Sequence, residues 1–295
     1  MSIIIGAHPQ NLSLSILVRR ADYVSDLRRQ GLEFFVYSNG AQSIPLIKLG
    51  VLDLVGTGAT PPILAKADGL SVAVFGMSGP RHENGGLCVR ADSGIRSLHD
   101  LKDRNIALMP ISWHTQFLAA ELHAAGLSWS DVNAVDLLPA TAKDAFEAGL
   151  LDAIVATDPL FAQIQTQVTI SVLARPGQAF SNRSVYWARH DTLQKHPEAV
   201  EILFDAIRRS DEETASDLSG TAKLLNGLNG VSTKQWLDVL QSRPWGITSP
   251  TREFLDEQQT HADIFTQFGL IPAALDMRDT VTHSFGQTTG AAQPA

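Results

Sequence analysis

The sequence contains a single cysteine, Cys88, among 295 residues. One cysteine excludes an internal disulfide and any Cys-x-x-Cys metal or redox motif. The nine histidines are scattered, without the His-x-His or His-Glu-x-x-His spacing that is typical of metal sites. No Gly-x-Gly-x-x-Gly motif stands out either, so we expect neither a metal ion nor a cofactor. No apolar run approaches the roughly 20 residues that a membrane-spanning helix requires.

Basic residues are scarce as well. The chain has 23 Lys and Arg against 31 Asp and Glu, which gives a net charge of −8. Without a basic stripe and interleaved aromatic residues, nucleic acid is not an expected partner. Apolar residues make up 44% and charged residues 18% of the sequence, values that are ordinary for a soluble globular protein. The length suffices for one large or two medium domains, and we expect a monomer.

The N-terminal residues, Met1-Ser2-Ile3-Ile4, lack the basic start and the small-residue cleavage site of a signal peptide. If Met1 is the true start, the sequence predicts a cytoplasmic protein. If Met1 was added to a mature chain, a periplasmic or membrane-associated location stays open.

Two stretches of the chain share one pattern, in which Gly-x-Leu-Asp is followed by a short apolar strand and a polar turn that closes on proline. They begin at Gly50 and at Gly149. Each glycine can end a helix in the left-handed conformation, and each proline fits the first turn of the next helix. Thr60 and Asp158 therefore belong to turns between a strand and a helix, where α/β sheets bind ligands and free amides favour anions. The alternative is that both residues are only helix N-caps.

Strands and helices alternate through most of the chain, which predicts an α/β fold with two lobes. Two strands, near Cys88 and near Val185, are interpreted as crossings that insert the second lobe into the first, so that strand-end turns of both lobes face a shared cleft. We predict lobe I from residues 1–88 and 185–285, including C-terminal helices, lobe II from residues 89–184, and a disordered tail at residues 286–295.

Five short motifs then resemble one protein family, the aliphatic-sulfonate, taurine and nitrate solute-binding proteins of ABC importers. Their order and spacing hold over nearly the whole chain. They are Gly58-Ala59-Thr60-Pro61-Pro62-Ile63-Leu64-Ala65, Ser97-Leu98-His99-Asp100-Leu101-Lys102, Ser112-Trp113-His114-Thr115-Gln116-Phe117-Leu118, Asp158-Pro159-Leu160-Phe161-Ala162 and Ser181-Asn182-Arg183.

The resemblance implies the type II periplasmic-binding-protein fold and a cleft that closes on a small anionic organic ligand. It also implies ABC permease subunits as partners if the protein is exported. The turns that match the family, together with the neighbouring aromatic and histidine residues, supply the candidate ligand-binding residues, which are His8, Asn11, Ser13, Thr60, Ser112, Trp113, His114, Asp158, Asn182 and Arg183.

An enzyme is the alternative, because the same superfamily contains a desulfinase and the pyrimidine synthase of thiamin biosynthesis. The desulfinase requires a nucleophilic cysteine on the first turn, and His8 stands about there in this sequence. An enzyme would use His8, His114 and Asp158 as acid and base groups. Cys88 lies on an apolar strand, where a cysteine is usually inert.

Two arginines, Arg81 and Arg183, are candidates for fork-like pairing with an anion, and Arg183 has the stronger case because of its motif. A surface or crossing salt-bridge partner is nevertheless the default interpretation of each. Trp113, Trp187 and Trp245 could wall an apolar ligand tail, although core packing is the default for Trp187.

Overall fold

A computed structural model describes residues 2–82, 85–177 and 179–281 of the chain. The predicted disordered tail, residues 286–295, lies outside the described residues. In the described parts of the chain, no helix is both long and apolar enough to cross a membrane.

Strands alternate with helices through most of the described chain, as the sequence pattern predicts. Within the described residues they are β1 (Ile3–Ala7), β2 (Leu32–Val36), β3 (Leu54–Gly58), β4 (Val72–Met77), β5 (Gly86–Arg90), β6 (Asn105–Leu108), β7 (Asn133–Asp136), β8 (Ala153–Ala156), β9 (Ile170–Ala174) and β10 (Ser184–Arg189).

Helices connect most of these strands and form the C-terminal part of the chain. Within the same residues they are α1 (Leu12–Leu17), α2 (Ala21–Arg29), α3 (Ser43–Lys48), α4 (Thr60–Ala67), α5 (Trp113–Ala124), α6 (Pro139–Glu147), α7 (Leu160–Gln167), α8 (His190–Lys195), α9 (Pro197–Ser216), α10 (Leu218–Leu224), α11 (Thr233–Gln241) and α12 (Arg252–Gln267).

The strands form two five-stranded sheets with matching topology, so the α/β fold class predicted from the sequence is confirmed. The first sheet has the order β2-β1-β3-β10-β4, and the second has the order β7-β6-β8-β5-β9. In the first sheet β1 pairs in parallel with β2 and β3, while β10 runs antiparallel to β3 and β4. In the second sheet β6 pairs in parallel with β7 and β8, while β5 runs antiparallel to β8 and β9. Each sheet thus places the turns after its parallel strands at one edge.

The chain passes from the first sheet to the second between β4 and β5 and returns between β9 and β10. Residues 86–88, which the sequence analysis assigns to lobe I, are paired with β8 and β9 in the second sheet. The lobe boundaries themselves stay a prediction.

The two Gly-x-Leu-Asp units have the geometry expected of them. Gly50 and Gly149 adopt φ values of +70° and +74° after α3 and α6, as helix-ending glycines do. The aspartate of each unit binds the start of the neighbouring strand, because Asp53 Oδ2 accepts a hydrogen bond from Ile4 N (2.8 Å) and Asp152 Oδ2 accepts one from Asn105 N (2.9 Å). These aspartates therefore stabilise the pairing of β3 with β1 and of β8 with β6.

The C-terminal helices α10 and α11 pack on α1. Leu12 and Ile16 of α1 form one buried apolar cluster with Ala222, Trp236 and Leu240. This packing holds the segment from residue 229 to residue 243 beside the turn that follows β1, although more than 200 residues separate the two in sequence.

Replacing Gly56 by alanine in β3 is expected to destabilise the protein by about 1–3 kcal/mol, because the added methyl group overpacks the core. A Cβ atom at Gly56 would lie 2.5 Å from Asn11 Nδ2, 2.8 Å from Leu14 Cδ1 and 2.9 Å from Tyr186 Cδ1. Thermal unfolding followed by circular dichroism measures the loss.

The matched control is Gly58→Ala in the same strand. A Cβ atom at Gly58 would have Trp113 Cβ as its nearest neighbour, at the ordinary contact distance of 3.6 Å. Equal unfolding temperatures of the two variants would contradict the close packing described around Gly56.

Candidate functional site

A cavity of about 650 Å³ lies between the two sheets at the carboxyl ends of their parallel strands. The turns after β1, β2 and β3 form one wall, and the turns after β6, β7 and β8 form the other. Open α/β sheets bind ligands at this position, and the volume is in the usual range for small-molecule sites. The strand-end turns of both sheets therefore face a common space, as the sequence analysis expects.

His8 lies in the turn after β1 and lines the cavity. Its Nδ1 is 2.7 Å from Gln10 Oε1, and its Nε2 is 2.9 Å from the carbonyl oxygen of Gly56. Burial lowers the pKa of His8 to about 4, against the smaller opposing effect of these two contacts. A neutral ring donates through one nitrogen at a time, and Gln10 Oε1 is also the acceptor for Gly40 N (3.3 Å), so Gln10 and Gly56 each contact one ring nitrogen of His8. Both ring nitrogens are thus engaged within the protein.

Ser112 begins the opposite wall as the N-cap of α5. Its Oγ accepts a hydrogen bond from His114 N (3.2 Å) and donates one to the carbonyl oxygen of Met109 (2.6 Å). The next residue, Trp113, is stacked on Phe180, with ring centroids 5.8 Å apart and an angle of 5° between the planes. Ser112 and Trp113 both line the cavity, at the amino end of a 12-residue helix.

His114 supplies a hydrogen-bond donor whose direction the backbone fixes. Met109 N donates to His114 Nδ1 (3.2 Å), so Nδ1 carries no proton and the proton of the neutral ring is on Nε2. Burial lowers the pKa of His114 to about 3, which keeps the ring neutral near pH 7. Nε2 is buried and has no partner among the residues that the structure describes. The residue lines the cavity, and this N–H is its unused hydrogen-bond donor.

Arg81, which follows β4, brings a buried positive charge to the cavity. The side chain is 6% exposed. Its Nε and Nη2 donate to the backbone oxygen and to Oδ1 of Asn182, both at 3.2 Å. Burial, and then the nearby charge of Arg243, lower the pKa of Arg81 to about 9, so the group stays charged at neutral pH. Within residues 2–82, 85–177 and 179–281, no carboxylate oxygen lies within 4.0 Å of it.

Arg243 brings a second cation, from the loop after α11. Its Nε is buried without a hydrogen-bond partner, and it forms no ion pair within 4.0 Å, in the described part of the chain. Burial lowers its pKa to about 10, against the attraction of Asp158, Tyr186 and Asp211. Two guanidinium groups therefore face one cavity, and neither is paired with a carboxylate of the described chain.

Asp158 brings an acidic group to the site. It lies in the turn after β8, and its Oδ1 accepts a hydrogen bond from Ala162 N (3.2 Å). Burial raises its pKa, while that hydrogen bond and the charges of Arg243 and Arg175 oppose the rise.

Apolar side chains form much of the remaining cavity wall. Ile111 is 38% and Leu138 is 59% exposed, unusually open for such residues, and Trp236 contributes an indole from α11. Of the three tryptophans considered from the sequence, Trp113 lines the cavity. Trp187 is instead in the core, where its Nε1 donates to Thr57 Oγ1 (2.9 Å).

Three residues that the sequence predicts to bind the ligand, in the segments that follow β1 and β3, do not line the cavity. Each forms a hydrogen bond within the protein. Asn11 caps α1, with its Oδ1 accepting from Leu14 N (3.1 Å). Ser13 Oγ donates to Asp211 Oδ2 (3.0 Å), and Thr60 Oγ1 donates to Gln116 Oε1 (2.8 Å).

Asn182 and Arg183 are also absent from the cavity lining. Asn182 is fully buried and binds Arg81, so it positions that arginine. The guanidinium of Arg183 donates to Ser181 Oγ (3.1 Å) and to the carbonyl oxygen of Ser78 (3.1 Å). The structure therefore brings Arg81, and not Arg183, to the cavity, because the motif fixes the crossing segment and not the direction of its side chains.

Arg243, Trp236 and Asn229 are lining residues that the sequence analysis misses. They belong to the helical C-terminal part, where the sequence shows only amphipathic periodicity. The sole signal was indirect, since a loop that follows an amphipathic helix carries an arginine and a tryptophan at Arg243 and Trp245.

Cys88 is fully buried in β5, and burial raises the pKa of its thiol to about 12. We expect iodoacetamide to alkylate it at least about a thousandfold more slowly in the folded than in the unfolded protein, because alkylation requires an exposed thiolate. Mass spectrometry of the time course measures the difference. Rapid alkylation of the folded protein would contradict the buried position.

In the part of the chain that the structure describes, no three His, Cys, Asp or Glu residues are gathered in a way that could hold a metal ion.

Comparison with known proteins gives a consistent result. The sequence profile of the family described as "NMT1/THI5 like" matches residues 28–217. A putative aliphatic sulfonates-binding protein of Escherichia coli strain K12 is 28% identical over 243 residues, which cover 82% of this chain and 76% of the relative.

Solved structures agree with this result at the level of the fold. The periplasmic aliphatic sulphonate binding protein SsuA from Escherichia coli superimposes with a TM-score of 0.85 at 24% identity, covering 100% of this chain and 97% of its own. The alkanesulfonate-binding protein SsuA from Xanthomonas axonopodis pv. citri, bound to MOPS, gives a TM-score of 0.84 at 23% identity and covers 95% and 98%. The family resemblance and the periplasmic-binding-protein fold predicted from the sequence motifs are thereby confirmed.

Proposed function

Because this chain belongs to the NMT1/THI5-like family, we propose that it binds a small organic anion of the sulfonate type in the cavity between its two sheets. The observation that carries the proposal is the set of three buried donors, Arg81, Arg243 and His114 Nε2, that line one cavity without a carboxylate partner among the described residues. An unpaired buried charge is unfavourable, and an anionic ligand removes that cost.

The three donors suit an oxyanion in different ways. A guanidinium presents a planar set of N–H groups that matches two oxygens at once. The neutral imidazole adds one N–H in a fixed direction, and the amino end of α5 favours negative charge through its peptide dipoles. A sulfonate has three equivalent oxygens, which suffice for the three groups. The exposed apolar side chains of Ile111 and Leu138 suit the carbon part of such a ligand.

The names of the relatives extend the proposal to a biological role. The curated relative is named an aliphatic sulfonates-binding protein, and the solved one is described as periplasmic. We therefore propose that this chain is the substrate-binding component of an ABC importer, that it works with permease subunits, and that it acts in the periplasm.

Binding without chemical change is favoured over catalysis by the chemistry of the side chains. Cys88 is buried with a raised pKa, so it does not replace the nucleophile of a desulfinase. The ring nitrogens of His8 are engaged by Gln10 and Gly56. With a pKa of about 3, His114 is a weak base near neutral pH.

Isothermal titration with hexanesulfonate tests the proposal directly. We expect one site per chain and recovery of the unchanged ligand, which mass spectrometry of the dialysed complex detects. A ligand that is recovered altered would make the protein an enzyme. Absence of binding to hexanesulfonate, taurine and aromatic sulfonates would contradict the proposed function.

A further inference from the structure

The charges of the cavity add up to a small positive number. Arg81 and Arg243 supply two positive charges, and Asp158 supplies one negative charge in the same cavity. The fourth and fifth charged residues of the lining cancel, since Lys143 Nζ lies 3.1 Å from Asp144 Oδ1. With Asp158 ionised, the sum over the described lining residues is therefore at most +1.

Asp211 behind the cavity does not raise this limit. Its carboxylate is buried and binds Ser13 Oγ and Gly246 N rather than facing the cavity. When it is neutral, the sum stays at +1, and when it is ionised the sum falls towards zero. The amino end of α5 adds about half a charge at most, which leaves the total well below +2.

From this sum we propose that Asp158 determines the charge of the ligand, by admitting organic monoanions and disfavouring dianions such as phosphate monoesters. The inference rests on the proposed function, because it concerns the same cavity. A monoanion with an apolar tail neutralises the site, whereas a dianion leaves an excess negative charge beside the half-buried Asp158 carboxylate.

Asp158 is suited to act on the ligand through its charge and not through a direct hydrogen bond to the anion. A carboxylate at neutral pH accepts hydrogen bonds and does not donate them, so it repels sulfonate and phosphate oxygens alike. Its Oδ1 is held by Ala162 N, and its negative charge raises the pKa of Arg243, a second residue of the same lining. Electrostatic energy scales with the charge of the ligand, so the repulsion of a dianion is about twice that of a monoanion.

The test compares hexanesulfonate with hexyl phosphate at pH 8, where the phosphate is a dianion because its second pKa is about 6. We expect the wild-type protein to bind the sulfonate at least tenfold more tightly. In Asp158→Asn, which keeps the acceptor for Ala162 N, hexyl phosphate should bind at least tenfold more tightly than to the wild type. The affinity for hexanesulfonate should rise only by about the square root of that factor, so the ratio of the two affinities should fall.

Asp92→Asn is the matched control, because Asp92 is 74% exposed, is paired with Arg90 and lies outside the cavity lining. It should leave the ratio of the two affinities unchanged. If hexanesulfonate binds and Asp158→Asn leaves the ratio unchanged, or the wild type binds both ligands equally, the charge-selective role is overturned and the proposed function stands. If neither ligand binds the wild type, the charge-selective role is overturned, and the proposed function falls with it only if taurine and aromatic sulfonates also fail to bind.

Discussion

Replacing Arg243 by methionine is expected to weaken the binding of hexanesulfonate by about a hundredfold, close to 3 kcal/mol at 25 °C. The guanidinium is the group with the fewest partners in the cavity, since its Nε has none among the described residues. A ligand oxygen would then be its principal hydrogen-bond partner, and removing one side of a buried charged contact costs about 2–5 kcal/mol. Isothermal titration of the purified variant measures the effect.

The same substitution should change the stability of the ligand-free protein little. Arg243 forms no ion pair within 4.0 Å in the described residues, so no salt bridge is lost. Methionine is unbranched and flexible, and it fills irregular space well. We expect the ligand-free variant to unfold within a few degrees of the wild type while losing the stabilisation that the ligand provides.

Arg252→Met is the control for the loss of a positive charge. The Arg252 side chain is 91% exposed at the start of α12, and its contact with Asp256 spans 4.0 Å. This variant should bind hexanesulfonate as the wild type does. An unchanged dissociation constant in Arg243→Met would remove Arg243 from the binding site.

Local patterns in the sequence were sufficient to predict the turns between strands and helices that form part of the site. His8, Ser112, Trp113, His114 and Asp158 all line the cavity, and their binding of a ligand stays a prediction. Each follows a parallel strand directly, and parallel strands of one sheet end at the same edge. Short-range information is therefore enough to bring these five residues together.

The arginines required information that a single sequence does not contain. The choice between Arg81 and Arg183 depends on the partners that hold each side chain. Arg183 is held by Ser78, 105 residues away, and by Ser181, which also binds Glu257, 76 residues away. Arg81 is positioned by Asn182, which is 101 residues distant. Spacing along the chain does not reveal such contacts.

The C-terminal contribution was missed for a related reason. Trp236 lies on an amphipathic helix, and its contact with Leu12 and Ile16 arises only when α11 packs on α1. The apolar face of α11 predicts that it packs on something, but not on what. Arg243 follows that helix and reaches the cavity as a consequence of this packing.

The second large effect is the pH dependence of stability, which arises from the buried ring of His114. Without ligand, the wild-type protein should lose about 2 kcal/mol more unfolding free energy than His114→Asn between pH 7.5 and pH 5. The pKa of His114 is lowered from 6.5 to about 3 in the folded state because the ring is buried. Below pH 6.5 the unfolded chain takes up a proton that the folded protein does not bind. Stability that is present above pH 6.5 is therefore lost as the pH falls towards 3.

The comparison of two proteins at each pH isolates His114 from the other buried groups. His8 also has a lowered pKa and acts in the same direction, whereas burial raises the pKa of Asp211 to about 7 and acts in the opposite direction. Both contributions are common to the wild type and the variant, so they cancel in the difference. Urea unfolding at a series of pH values gives the free energies.

His123→Asn is the matched control, because His123 lies in the last turn of the same helix α5 and its side chain is exposed. This substitution removes an exposed histidine and leaves the buried ring of His114 in place, so the loss of stability attributed to His114 should persist in this variant. The same burial that makes the folded protein sensitive to acid keeps the His114 ring neutral at neutral pH, with its proton on Nε2. A difference between wild type and His114→Asn that stays constant with pH would mean that Nε2 reaches water, and the site would lose its neutral donor.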